Sequence, residues 1–236
     1  MKRFTILILA VGLGTGARVA PATDITGTVT LKGTPPKEVE ITPLMEDPTC
    51  GKLHQTIPTT HFYVVGPKGE LGDVVVSLQG ISGKSTGASA PPVVLNQKGC
   101  EYVPYVFAVQ TGQKILVKNS DPVLHNVHDV PAEGSGNQER NQAQLPNGPD
   151  LTFSFTHPES FLKFECNVHK WMFAYASIFD HPYFAVTAKD GLFKIANVPP
   201  GKYTVEAAHR KLGKVTKEVE VKEGEPAKID FVLEVK

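Results

Sequence analysis

Apolar and polar positions alternate with a period of two along much of the chain, the pattern of strands with one buried face. In Leu151-Thr152-Phe153-Ser154-Phe155-Thr156, apolar residues alternate with hydroxyls. Leu162, Phe164 and Cys166 fall on one face of the next segment, with Lys163 and Glu165 on the other. Ile229, Phe231, Leu233 and Val235 repeat the pattern near the C-terminus. Further strands are predicted over 26–32, 61–66 and 73–80, and a hairpin over 102–109 and 113–118 turned at Thr111-Gly112. Asp190-Gly191 reads as a hairpin turn, and Pro199-Pro200-Gly201-Lys202 as another turn between strands. Helical periodicity is nearly absent, and residues 136–145 have no apolar face and read as a polar loop. The pattern predicts an all-β protein with sandwich spacing.

Composition agrees. The chain has 236 residues, with 21 glycines and 19 prolines that demand many turns. Its 24 basic and 24 acidic residues balance, and no Lys/Arg run occurs, so the basic footprint of a nucleic-acid binder is missing. Lys2-Arg3, the apolar run 4–12 (too short to span a bilayer) and Ala20-Pro21-Ala22 read as a secretory signal peptide over 1–22. The expectation is an exported, periplasmic protein without membrane insertion. Cleavage removes Lys2, Arg3 and Arg18 and no acid, which leaves the mature chain slightly acidic.

Three zones follow the leader. Residues 23–90 hold short strands and end in a Gly/Ser/Ala/Pro-rich stretch over 80–92, 91–182 carry the unusual chemistry, and 183–236 are regular hairpins. Export favours disulfides, yet the three cysteines are odd in number. Cys50 and Cys100 sit in turn-like contexts and are expected to pair, which leaves Cys166 with a reason to stay free.

That reason is metal ligation. Cys166, His169 and Met172 offer thiolate, imidazole and thioether at C-x2-H-x2-M spacing, and His125 supplies a second imidazole upstream. Two imidazoles, a thiolate and a weak axial thioether form the donor set of a type 1 copper site. Soft sulfur suits Cu(I), imidazole tolerates both oxidation states, and a rigid β frame keeps one geometry for both. Zinc is the chemical rival, but its sites seldom include a thioether and no second C-x2-C or H-x3-H pair is present. His128 falls on the opposite strand face from His125 and is not expected to bind metal; the same holds for His181 before Pro182. His54, His61, His157 and His209 read as surface residues, and 119–122 as a turn rather than a carboxylate site. No G-x-S-x-G, P-loop or paired-acid motif points to an enzyme.

On these residues, about 93–180 resembles a cupredoxin, closest in spacing to amicyanin and pseudoazurin. The resemblance implies a Greek-key sandwich that binds one copper through His125, Cys166, His169 and Met172. It implies that Asn126 ties the two ligand-bearing segments together and supports the thiolate. It further implies an electron carrier with a transient protein partner, His169 as the electron port on an exposed loop, and Trp171 in the docking patch. The chain departs from that pattern in the polar stretch 132–150 and in continuing past 173–184. A second resemblance, carried by 187–193, 199–203 and Gly27-Thr28-Val29, is to carboxypeptidase regulatory-like β-sandwiches, which are noncatalytic. The copper segment would then be joined to, or inserted in, that second sandwich. The reading is a monomeric electron-transfer protein; a copper carrier and a structural β protein with a stabilising metal are the alternatives, separable by colour and redox behaviour.

Overall fold

A computed structural model describes residues 22–235; the leader expectation, apart from Ala22, lies outside them. The chain opens with β1 (Thr23–Lys32), a short helix α1 (Thr42–Glu46) and β2 (Val75–Leu78). Next come β3 (Val93–Gln97), β4 (Tyr102–Val103), β5 (Val106–Gln110), β6 (Ile115–Asn119) and β7 (His125–Val130). They are followed by β8 (Arg140–Gln144), β9 (Leu151–Phe153), β10 (Glu159–Glu165) and β11 (Phe173–Phe179). The chain closes with β12 (Phe184–Val186), β13 (Leu192–Val198), β14 (Gly201–His209), β15 (Gly213–Val221), β16 (Ala227–Lys228) and β17 (Phe231–Glu234). The protein is all-β. No helix among the described residues is long and apolar enough to cross a membrane.

Two sandwiches account for these strands. In the first, the sheet β5-β11-β10-β7-β8 faces the sheet β4-β3-β6-β9. Phe153, Phe164, Leu95, Ile115 and Val127 fill the space between them. In the second, β13-β1-β16, with β17 also paired to β1, faces β12-β2-β14-β15 around Ile25, Leu78, Ile195, Val205 and Phe231. β1 and β2 precede the first sandwich and β12 to β17 follow it, so the first is inserted into the second. Val75, Val106 and Tyr175, with Tyr105, Phe173 and Phe179 against them, pack at the junction.

Alternation places the side chains as anticipated in β10, where Leu162 and Phe164 are buried and Cys166 follows them inward. It does so again in β17. Several pairings differ from the sequence reading. β5 and β6 do not form a hairpin: β5 pairs in parallel with β11 and β6 in parallel with β3, so Thr111-Gly112 carries the chain between sheets. Asp190-Gly191 and 199–202 are likewise turns between facing sheets; β14 and β15 form the hairpin of this region. The stretch 61–66 is not a regular strand, because the Glu38 carboxylate takes the N–H groups of Phe62 and Tyr63. Residues 140–144, expected as loop, are strand β8. It is an edge strand paired only with β7, exposed along Asn141, Gln142 and Ala143, so its sequence needs no apolar face.

Candidate metal centre

Three elements bring the donors together. β7 begins with His125 and Asn126, β10 delivers Cys166, and the turn from β10 to β11 carries His169 and Met172. That turn is closed by backbone bonds from Cys166 N to Met172 O, 3.1 Å, and from Met172 N to His169 O, 2.8 Å. The seven-residue turn therefore presents sulfur and imidazole from one rigid loop.

His125 Nδ1 lies 2.9 Å from His169 Nδ1, and Cys166 Sγ lies 3.7 Å from His169 Nδ1. One donor atom from each of His125, Cys166 and His169 falls within 4.8 Å of the others, and all three side chains are buried. Met172 is buried in the same core. These are soft and borderline donors in a dry frame, and they fit a copper ion.

The surrounding bonds fix the donors. Asn126 Oδ1 accepts from Asn167 N at 2.7 Å and Val168 N at 3.3 Å, and Asn126 Nδ2 donates to Asn141 Oδ1 and Asn167 Oδ1. Asn126 thus ties β7 to the turn 166–172. Its backbone N–H, and that of His169, point at Cys166 Sγ from 3.5 and 3.4 Å. Burial pushes the Cys166 thiol up, but bonds from His125 and from the backbone N–H groups of Asn126, His169 and Val168 outweigh it. The thiol therefore lies below its ordinary value, which favours the thiolate a metal needs.

Asp121 is the residue the sequence reading missed. The turn is present, but its carboxylate is buried and Oδ2 sits 3.0 Å from His125 Nε2. Asp121 also accepts from Gly99 N and Cys100 N, at 2.6 and 2.8 Å. A carboxylate behind a histidine fixes its tautomer: Nε2–H points to Asp121, which leaves the Nδ1 lone pair able to take a metal. Burial raises Asp121, and the His125 and backbone bonds bring it below the ordinary carboxylate range. Burial lowers His125, and Asp121 and Cys166 reverse that, so it stands above its ordinary value. His169 moves the other way, lowered by burial and then by His125. The only sequence signal for Asp121 was a carboxylate four residues before a histidine, across a turn.

The exposure expected of the His169 loop is not found at the ring itself. His169 is only 3% exposed. The segment 41–54 covers it: Asp47 and Cys50 reach within 4.8 Å of its ring nitrogen, and Cys50 is bonded to Cys100 as expected. Trp171 is half-buried, its ring 5.1 Å from that of His169 and its Nε1–H donating to Cys100 O at 3.0 Å. That bond ties the indole N–H inward. Val168 and Lys170 are the exposed side chains beside His169.

The remaining histidines lie apart. His128 faces away and pairs with Glu139 and Glu165. His181 stacks among Phe179 and Tyr183 near the junction. His209 is buried in the second sandwich against Tyr63, contrary to the surface reading; a strand end next to a covering loop buries it.

Residues 178–234 match the family of carboxypeptidase regulatory-like domains. No curated relative matches the chain. Among solved structures, a copper-containing nitrite reductase from Thermus scotoductus shows 18% identity at a TM-score of 0.34, over 39% of this chain and 23% of that one. A Cu(I) form of an amicyanin variant shows 17% identity at a TM-score of 0.33, over 44% of this chain and 97% of that one. An oxidised amicyanin variant shows 18% identity at the same score and coverage. The similarity to cupredoxins is weak, and the chain spans about a quarter of the reductase's length.

Proposed function

We propose that this protein is a one-copper electron carrier. The observation that carries the reading is the convergence of His125, Cys166 and His169 donor atoms within 4.8 Å in a buried frame. His125 and His169 would hold copper through Nδ1, Cys166 through its thiolate, and Met172 as a weak axial donor. When bound, copper supplies a one-electron couple. Asp121 and Asn126 keep the donors in one arrangement for both oxidation states, so little reorganises when an electron moves. With Met172 as the fourth donor no position would be left for a substrate, which supports a carrier rather than an enzyme. Burial of His169 under 41–54 supports a retained ion rather than an exchanged one.

The partner is a transient redox protein, and the exposed apolar side chains beside the donors, Val168 and Leu124, are the edge assigned to it. The Cys50–Cys100 bond suits an oxidising compartment such as the periplasm. The test is a spectrum of purified protein loaded with Cu(II). An intense thiolate-to-Cu(II) band that bleaches and returns reversibly is expected. A colourless protein that surrenders Cu(I) readily to a chelator, or one that takes only zinc, overturns the reading.

A further inference from the structure

The disulfide lies against both histidines of the centre. Cys50 Sγ, an Asp47 oxygen and a His169 ring nitrogen fall within 4.8 Å of one another, and so do Cys100 Sγ, an Asp121 oxygen and a His125 ring nitrogen. Both cysteines are fully buried.

Their backbones are anchored independently of the S–S bond. Asp47 Oδ1 accepts from Thr49 N and Cys50 N at 2.9 and 2.8 Å, and Asp121 accepts from Gly99 N and Cys100 N. His54 Nε2 bonds Gly99 O at 2.7 Å, and Trp171 Nε1 bonds Cys100 O. Leu44 is fully buried in the core of the first sandwich and pins the covering segment. Opening the S–S bond therefore leaves both sulfurs close to the imidazoles. The two carboxylates are occupied with N–H groups and are hard donors, so the free soft donors would be the two sulfurs and an imidazole.

We propose that Cys50 and Cys100, once their bond is opened, form with His169 a second, redox-gated site for a soft monovalent cation, Cu(I). A dithiol reductant breaks the S–S bond: two electrons and two protons pass to the cysteines, and the reductant leaves as its own disulfide. The thiols release both protons on binding Cu(I). In the oxidised chain the sulfurs have no thiolate to offer and the site is closed. The site shares His169 with the copper reading above but does not need Cys166.

Cys166→Ser chains, reduced with a dithiol or kept oxidised, are titrated anaerobically with Cu(I) against a chromogenic chelator, with reduction followed by mass and fold by circular dichroism. The reduced chain is expected to bind one Cu(I) and the oxidised chain none. Adding His169→Ala should weaken the reduced-state binding by at least about tenfold. A reduced chain that binds no Cu(I), a disulfide that resists reduction in the folded chain, or binding indifferent to His169→Ala overturns the proposal. In the Cys166→Ser chain, adding Cys50→Ser/Cys100→Ser should abolish the Cu(I) gained on reduction; a gain that survives also overturns it. An oxidised wild-type chain that takes no copper defeats the electron-carrier reading instead, and leaves the Cys166→Ser comparison decisive for this one.

Discussion

The two sandwiches are built from the same alternation, yet they bury different things. At one end of the first, His125, Asn126, Asp121, His169, Asn119 and Gln144 are all withdrawn from water. The second buries Thr23, Ser77, Thr187 and His209 and is otherwise apolar. Burying a polar side chain costs free energy unless every bond is replaced. The first sandwich replaces them with a network: Asn119 Nδ2 donates to Val123 O and Gln144 O, Gln144 to Val117 O, and Asn126 to the ligand loop. Such networks hold a unique geometry when fully satisfied. The contrast is one of construction: the second sandwich has an almost apolar core, and the first carries a costly polar end, where the proposed donors lie.

The sharpest way to break that contrast is Cys166→Ser. It should abolish the visible band and most copper affinity, since a hydroxyl cannot supply a soft anion, while thermal unfolding of the apo protein changes little. A retained full band would remove the site from the first sandwich.

The reciprocal substitution is Phe231→Ala. Phe231 is fully buried in the second core, and its truncation should cost about 4 kcal/mol by urea unfolding, with the copper spectrum intact. A lost spectrum would mean that the two sandwiches do not act separately.

Acid sharpens the comparison through His209, whose burial, and then the Arg210 charge, push it down to about 4. Its folded value lies below its unfolded one, so the neutral form is favoured by folding. Stability from this group is full above the unfolded value near 6.5 and declines as pH falls towards about 4. The loss is on the order of 3 kcal/mol. His209→Gln should flatten that decline in unfolding measured across the same pH range; an unchanged slope would assign the acid sensitivity elsewhere.

Smaller effects tune the metal centre. Asp121→Asn should weaken copper binding about 10–100-fold in a chelator competition, because the carboxylate no longer orients His125. Met172→Gln should keep copper and lower the potential, by about 59 mV for each tenfold gain in relative Cu(II) affinity. An unchanged potential in voltammetry would mean that Met172 is not axial. The smallest effect is expected from Val168→Lys, with an unchanged spectrum and slower electron exchange in stopped-flow mixing with a redox partner.

The sequence by itself determined the β character, the inward face of β10 that aims Cys166 at the core, and the Cys50–Cys100 pairing that an odd cysteine count suggested. It also put Cys166, His169 and Met172 on one short turn, because seven residues closed by backbone bonds leave little freedom. What it could not carry was partnership across the fold. Alternation tells a side chain's face but not its neighbouring strand, since ladder bonds come from the backbone and every residue offers the same ones. That is why β5 and β6 read as a hairpin although they enter different sheets, and why polar β8 read as a loop. Only the tertiary structure decided that Asp121 stands behind His125, because the 119–122 turn had to fold back onto β7 for the carboxylate to arrive. It alone decided that His169 is covered, since the covering segment 41–54 lies more than a hundred residues away in sequence and is brought there by Leu44 and the disulfide.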